Sequence, residues 1–311
     1  MIDYNAPQKI DDFQIDNKIK RKLHIKIEAA KMRNEMPGSF LFYGQSGVGK
    51  STIAAALAAE MHVDVYTILC SSIKNQSALV DALLNIPDTG CAVILDELHS
   101  LSSKSQEILY PAIEANKINC ELDGQIIKTN LPKNIFFIGA TTDLQKINTP
   151  LRNRFCTTIN LQPYNDNYIS DIIKNCCSFY DLTINDDNAM KLAKIARGIP
   201  RKAKSIVNNA RDFSMVLSDG NVDDDIVEEI FDEENMSLDT YLTQKEERYL
   251  TLLANEYNGK PVGVNMISSS IGESVSMIED IIEPHLLQNN LIVKSPRGRQ
   301  ITNAGFELIK E

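Results

Sequence analysis

The sequence predicts an α/β domain, a parallel sheet flanked by helices, followed by a small helical domain and a C-terminal winged-helix domain. Three observations predict it. First, short continuous apolar runs, Phe40-Leu41-Phe42-Tyr43, Ala92-Val93-Ile94-Leu95 and Ile135-Phe136-Phe137-Ile138, alternate with helical stretches. Such runs suit strands buried on both faces, and their alternation with helices suits a parallel sheet. Second, the stretch 165–235 reads as helices only, at roughly 165–180, 186–196, 200–217 and 222–233. Third, Leu291-Ile292-Val293-Lys294 and Arg299-Gln300-Ile301-Thr302 flank Ser295-Pro296-Arg297-Gly298 after a run of helices, which reads as a hairpin about a Pro/Gly turn.

The elements follow in order. Ile19, Leu23, Ile27 and Ala30 have helical spacing, which predicts a helix over 17–36 that Pro37-Gly38 ends. A strand at Phe40–Tyr43 runs into the glycine-rich stretch Gly44–Gly49, and the alanine-rich Ser51–Met61 reads as a helix. A strand at Val63–Leu69 and a helix at Gln76–Asn85 come next. The run ending at Leu95 is followed by Asp96-Glu97, then by a helix over Lys104–Glu114. Ile118–Leu122 and Gln125–Lys128 read as a hairpin closed by Asp123-Gly124. The boundaries divide the chain into 1–164, 165–235 and 236–311, in keeping with a prior of roughly 150 residues per domain.

Composition narrows the function. No apolar run approaches the ~20 residues of a membrane span, and Met1-Ile2-Asp3-Tyr4-Asn5 is polar, so no secretory signal and no membrane partner are expected. The net charge of −10, from 32 basic and 42 acidic residues, excludes a global basic field but not a local phosphate-binding patch. The acid cluster Asp223–Glu234 reads as a solvated helix face. None of the six cysteines forms a Cys-x-x-Cys pair or a zinc spacing with the four histidines. Cys91 and Cys156 read as small buried hydrophobes, and a reducing cytoplasm is the expected location.

The chemistry concentrates in Gly44-Gln45-Ser46-Gly47-Val48-Gly49-Lys50-Ser51, a complete G-x-x-x-x-G-K-[ST] motif between a predicted strand and helix. Gly44, Gly47 and Gly49 let backbone N–H groups turn inward at phosphate oxygens. Lys50 supplies a point charge for the β- and γ-phosphates, and Ser51 a hydroxyl for Mg²⁺. Thr52 follows at the helix start, within reach of the same phosphates. Asp96, at the end of a buried strand, can reach the magnesium shell, and Glu97 can polarise the attacking water as general base. Thr142, at the end of the next strand, can orient that water or the γ-phosphate. Arg152 and Arg154, in Pro150-Leu151-Arg152-Asn153-Arg154-Phe155, offer guanidinium groups for transition-state charge. Arg201 opens a helix in Gly198-Ile199-Pro200-Arg201, where basic charge opposes the helix dipole and invites an external anion.

Together these residues resemble the AAA+ ATPases and, more narrowly, the RuvB family of Holliday-junction branch-migration motors, nearly end to end. Asp96-Glu97-Leu98-His99 with Leu109-Tyr110-Pro111-Ala112-Ile113-Glu114 resembles the Walker B region, and Gly139-Ala140-Thr141-Thr142 the sensor 1 strand. Pro150–Phe155 is similar to the arginine-finger segment, and Arg197-Gly198-Ile199-Pro200-Arg201 to the sensor 2 helix start. Gly259-Lys260-Pro261-Val262-Gly263, Glu283–Gln288 and Ser295–Arg299 look like the winged-helix domain.

The resemblance implies ATP and Mg²⁺ as cofactors, with Thr142 as sensor 1 and Arg201 as sensor 2. It implies Arg154 as a finger offered to a neighbouring subunit, with Arg152 close by. Tyr164 matches a tyrosine near the nucleotide, and Lys294, Arg297 and Arg299 match a wing that touches DNA. It also implies a hexameric ring on duplex or four-way-junction DNA, with a RuvA-like partner docking on the hairpin over 115–131.

The chain departs from the family in places. Asn5-Ala6-Pro7 stands where the family has Leu-Arg-Pro, Gln45 and Ser46 replace a Pro-Pro pair in the loop, and the hairpin is shorter, with Ile118, Leu122, Ile126 and Ile127 left to supply an apolar tip. Lys294 takes the place of an arginine, which suits a phosphate contact but not bidentate recognition. These departures keep two other readings open: another AAA+ DNA-remodelling factor, clamp-loader-like or from phage or plasmid replication, and a nucleotide-gated DNA-binding adaptor that hydrolyses little. Glu97 and Arg154 argue against the adaptor. A protein unfoldase is disfavoured because Cys70-Ser71-Ser72-Ile73-Lys74-Asn75 carries no aromatic-hydrophobic-Gly loop.

Overall fold

A computed structural model of the chain describes residue 7 and residues 9–122 and 124–309. The N-terminal pentapeptide, Ala6 and the turn residue Asp123 lie outside the described residues. The chain forms two compact units. One runs through Phe179 and takes in Ala196–Ser205; the other holds Tyr180–Ile195 and the chain from Ile206.

In the first unit, strands β1 (Phe40–Tyr43), β2 (Asp64–Leu69) and β3 (Cys91–Asp96) belong to the central sheet. Strands β4 (Lys117–Leu122) and β5 (Gln125–Asn130) form a separate antiparallel hairpin. The sheet is completed by β6 (Ile135–Thr141) and β7 (Thr157–Asn160), in the order β2-β3-β6-β1-β7, with every pair parallel. Side chains alternate between the two faces of each strand. Phe40, Phe42, Ile94 and Phe136 therefore pack with Leu23 and Ile27 of helix α1 (Asn17–Arg33) and Ile53 and Leu57 of α2 (Lys50–Glu60). Leu41, Val93, Leu95 and Phe137 meet Leu83 of α3 (Gln76–Leu84) and Ile108, Leu109 and Ala112 of α4 (Ser103–Ala115). Helices on both faces remove both apolar surfaces from water, which is why the strands read as unbroken apolar runs.

The C-terminal ends of β1, β3 and β6 lie at one edge of the sheet, the edge where open α/β sheets bind ligands. Helix α1 stops at Arg33 rather than at residue 36, because Asn34 turns left-handed (φ 54) and returns its N–H to Ala30. Strand β7 is not signalled in the sequence. Two of its four residues are threonines and it sits at the sheet edge beside β1. Cys91 is buried as expected; Cys156, just before β7, is exposed, because it precedes the strand's first inward residue. The short helix α5 (Thr149–Arg152) and helix α6 (Asp166–Phe179) complete this part of the chain.

The stretch after 165 is not helical throughout. Thr183–Ile184 (β8) and Asn221–Val222 (β9) pair in parallel, two residues each, too short to produce a period. Helices α7 (Asp186–Ala196), α8 (Pro200–Leu217) and α9 (Asp224–Glu233) account for the remainder. In α9, Ile226, Val227, Ile230 and Phe231 are buried while Asp224, Asp225, Glu228, Glu229, Asp232 and Glu233 face solvent, so the acid cluster is a solvated face.

The C-terminal part follows the winged-helix expectation. Helices α10 (Gln244–Thr251), α11 (Val264–Ile271), α12 (Val275–Met277) and α13 (Glu283–Gln288) precede the hairpin of β10 (Ile292–Ser295) and β11 (Gly298–Ile301), and α14 (Asn303–Leu308) follows. Its own core gathers Tyr249, Leu253, Ile267, Ile278, Leu286 and Ile301. Among the described residues no helix is long and apolar enough to cross a membrane.

Candidate nucleotide site and wing

The loop after β1 leads directly into α2, so the backbone N–H groups of its first turn and the positive end of its dipole face the loop. Gly47 has φ +81, and a Cβ there would lie 2.8 Å from Ile199 Cγ2 and 2.9 Å from Arg201 Cβ. Only glycine satisfies both the conformation and the approach of 199–201. Lys50 is only 7% exposed, and its Nζ donates to the carbonyls of Gly44 and Gln45, each at 2.9 Å. Burial lowers its pKa; Glu97 and Asp96 pull it back up, and Arg201 pushes it down.

Ser51 Oγ stands 3.5 Å from both oxygens of Asp96, beyond the range of an ordinary O–H···O bond. Among the described residues no group of three His, Cys, Asp or Glu forms a metal cage. A hydroxyl and one carboxylate suit Mg²⁺, which takes few protein oxygens and completes its shell with phosphate and water. Asp96 Oδ1 also accepts from the Glu97 N–H at 3.1 Å. Glu97 itself is left-handed (φ 52), and its Oε2 lies 3.3 Å from His99 Nδ1. Thr142 is exposed, one position past the end of β6.

Two cavities meet at the loop. One, of about 270 Å³, is polar and lined by Ser46, Gly47, Lys50, Ser51, Asp96, Glu97 and Arg201. The other, of about 330 Å³, is walled by Phe13, Val48, Tyr164, Tyr168 and Ile172. They share Gly49, Thr52, Pro200 and Lys204. A polar phosphate-sized half beside an apolar base-sized half is the shape of a nucleotide. Tyr164 and Tyr168 pack with ring centroids 4.7 Å apart and planes tilted by 41°, and burial raises the pKa of both phenols, so both stay neutral. Tyr164 N–H donates to Gly198 O at 2.9 Å, which ties this wall to the segment bearing Arg201. Arg201 Nη1 donates to Ser46 Oγ at 3.2 Å, at the loop.

Arg152 and Arg154 line neither cavity. Arg152 Nη2 donates to Thr149 Oγ1 at 3.0 Å. Arg154 donates to Pro150 O at 2.9 Å, its Nε lies 3.3 Å from Glu114, and its guanidinium sits 4.4 Å over the Tyr110 ring. Sequence reasoning missed Phe13, Tyr168 and Lys204. Lys204 had a signal, since it stands three positions after Arg201 on one helix face; Phe13 and Tyr168 had none, being distant from the motif.

In the wing, Lys294 and Arg299 are opposite each other in the hairpin. Lys294 Nζ lies 2.6 Å from Glu283 Oε2 and Arg299 Nε 2.9 Å from Glu283 Oε1, while Arg299 also pairs with Glu279. Arg297, at the turn, is exposed. At the other hairpin, Ile118 is buried and Leu122 and Ile127 pack on the core, so of the four expected tip residues only Ile126 projects, 69% exposed.

The fold and the site define a P-loop ATPase of the AAA+ class. Descriptions of the RuvB family match in series: the Holliday junction DNA helicase RuvB P-loop domain over residues 6–161, the RuvB AAA lid domain over 164–236 and the RuvB C-terminal winged helix domain over 240–310. The chain belongs to the RuvB family. It is 33% identical over 309 residues to the Holliday junction branch migration complex subunit RuvB of Rickettsia africae (strain ESF-5), covering 98% of this chain and 89% of that protein. It superposes on the Thermotoga maritima RuvB Holliday junction branch migration motor with a TM-score of 0.78 at 30% identity, covering 98% of both chains. A single-residue variant of that motor gives a TM-score of 0.80, with the same identity and coverage.

Proposed function

We propose that this chain is an ATP-driven DNA motor that moves Holliday junctions, working as a hexameric ring with a nucleotide at each subunit interface. In this reading 1–164 is the ATPase domain, 165–235 its lid and 236–311 the DNA-binding winged helix. The observation that carries it is the bipartite cavity at the P-loop, joined in a chain whose full length follows the RuvB pattern. Lys50 and the loop N–H groups hold the β- and γ-phosphates, and the Tyr164 and Tyr168 wall takes the base. Ser51 and Asp96 would hold Mg²⁺, which would supply positive charge to offset that of the phosphates. Glu97 orients and deprotonates the attacking water, Thr142 holds it in line, and Arg201 reads the γ-phosphate from within the subunit.

Arg154 supports a finger acting in trans. It lines neither nucleotide cavity of its own chain, yet Tyr110 and Pro150 hold it in place. Its ionic partner Glu114 is solvent-exposed, and such a pair contributes only ~0–1 kcal/mol, so a phosphate can displace it. A finger that completes a neighbour's site requires a heterologous, ring-forming interface. Arg297 at the exposed wing turn meets DNA phosphates without reading sequence, as sliding requires; half-exposed Lys294 can join it while still paired with Glu283, and Arg299, largely buried between Glu279 and Glu283, holds the wing in shape for that contact. Ile126 offers a RuvA-like partner a small apolar anchor.

Steady-state ATP hydrolysis with and without a synthetic four-way junction tests the reading, with Glu97→Gln as reference. Junction-stimulated hydrolysis, lost on the order of 10²-fold in the variant, together with junction migration, is the expected result. Hydrolysis that ignores DNA, or that survives Glu97→Gln, sinks the motor.

A further inference from the structure

His99 sits two residues beyond Glu97, in the turn that follows β3, and no role in the reading above uses it. Its Nδ1 lies 3.3 Å from Glu97 Oε2 and 3.2 Å from Thr141 Oγ1. Thr141 is fully buried, and its hydroxyl is already committed to the next turn: it donates to Asp143 O and accepts from Asp143 N, both at 3.1 Å. That hydroxyl has one acceptor position left, and the imidazole N–H fills it. Glu97 Oε2 lies at nearly the same distance from the same nitrogen, as an ion-pair contact rather than a formed hydrogen bond. The imidazole thus stands between the hydrolytic carboxylate and the turn that carries Thr142.

Glu97 needs such a partner. Its backbone is left-handed at φ 52, a conformation that a residue with a Cβ holds only when its surroundings impose it. Its side chain is partly solvent-accessible, and a carboxylate that swings through several rotamers is a poor base for one water.

We propose that His99 is a positioning residue for hydrolysis, one whose imidazole, anchored on Thr141, braces the Glu97 carboxylate at 3.3 Å and couples it to the Thr141–Asp143 turn bearing the γ-phosphate sensor. The proposal rests on Glu97 being the base. It places His99 in the chemical step and not in nucleotide binding.

The test compares His99→Ala, His99→Asn and Glu97→Gln in the full chain, measuring kcat and KM for ATP with junction DNA, and equilibrium binding of a fluorescent ATP analogue. His99→Ala is expected to lower kcat on the order of tenfold with binding unchanged. His99→Asn, whose side-chain N–H can meet the same two acceptors, restores most of it. Thr141→Val, which removes the second acceptor, is expected to be non-additive with His99→Ala; if that variant does not fold, the two His99 variants decide alone. A wild-type kcat in His99→Ala while Glu97→Gln is inactive overturns the role of His99 and leaves the base intact. A loss confined to binding, or no rescue by asparagine, overturns it as well. Unimpaired hydrolysis by Glu97→Gln removes the base and this inference with it.

Discussion

Gly47 shows how much of the nucleotide site depends on one missing side chain. The 199–201 segment approaches the loop so closely that a Cβ would meet Ile199 and Arg201 inside 3 Å, at a φ that already disfavours any other residue. Gly47→Ala should cost about 1–2 kcal/mol in backbone strain alone. It should also push Arg201 away from Ser46, so ATP affinity falls on the order of tenfold, a change of ~1.4 kcal/mol. Thermal melting and nucleotide titration check this; a variant that binds ATP as wild type shows that the approach is irrelevant to the site. Lys50 follows a related logic. Its burial disfavours the charge, but Glu97 and Asp96 support it and the Gly44 and Gln45 carbonyls accept its hydrogen bonds. The motif residues were legible because they are contiguous. Cys156 was misread because its apolar neighbours say nothing about which side of the strand start it faces.

The wing is the element in which charge and packing are most tightly joined. Glu283 is fully buried and receives Lys294, Arg299 and the Tyr249 hydroxyl, the last at 2.8 Å. Burial alone would raise its pKa, but the hydrogen bonds from Arg299, Lys294 and Tyr249 outweigh it and hold the carboxyl below its ordinary value. A carboxyl depressed in the folded state adds stability above its unfolded pKa, about 4.3, and that stability disappears as pH falls through the folded value. Acidification below about pH 4.3 should therefore lower the urea midpoint of the wild type more steeply than that of Glu283→Gln. At neutral pH the variant should be less stable by about 3 kcal/mol, as when one partner of a buried pair is lost. Equal midpoints at neutral pH would mean that the wing stands without this network. The hairpin itself was legible from its Pro/Gly turn. Its ionic base was not, because Glu283 is separated from the wing by the length of α13 and a turn, and nothing local marks it as buried.

At the scale of the whole molecule, Lys50 and Arg154 fall into different places on one chain. Arg154→Ala should retain nucleotide binding and lose on the order of 10³-fold or more in kcat, while Lys50→Ala loses binding. If each site takes Lys50 from one subunit and Arg154 from the next, mixing the two inactive proteins in equal amounts rebuilds about a quarter of the interfaces. Hydrolysis should rise to about that fraction of wild type. A mixture no more active than its parents rules out a finger acting between subunits. The long-range order that such an assembly needs left traces in the sequence only through likeness to the RuvB family. Composition pointed the other way, since a net charge of −10 hides the basic wing.

The sequence by itself determined whatever is local. A phosphate loop between strand and helix, the apolar runs of a doubly covered sheet, the acidic outer face of α9 and the turn of the wing all follow from neighbours within a few residues. Backbone dihedrals and side-chain periodicity act at that range. Tertiary structure decided what brings distant segments together: Tyr164 and Arg201 against the loop, His99 between Glu97 and Thr141, Glu283 beneath the wing, and the two-residue strands β8 and β9. Those pairings are selected by burial and by the need of each buried polar group for a partner. That need is met by whichever part of the fold packs nearest in space, so no pattern along the chain announces it.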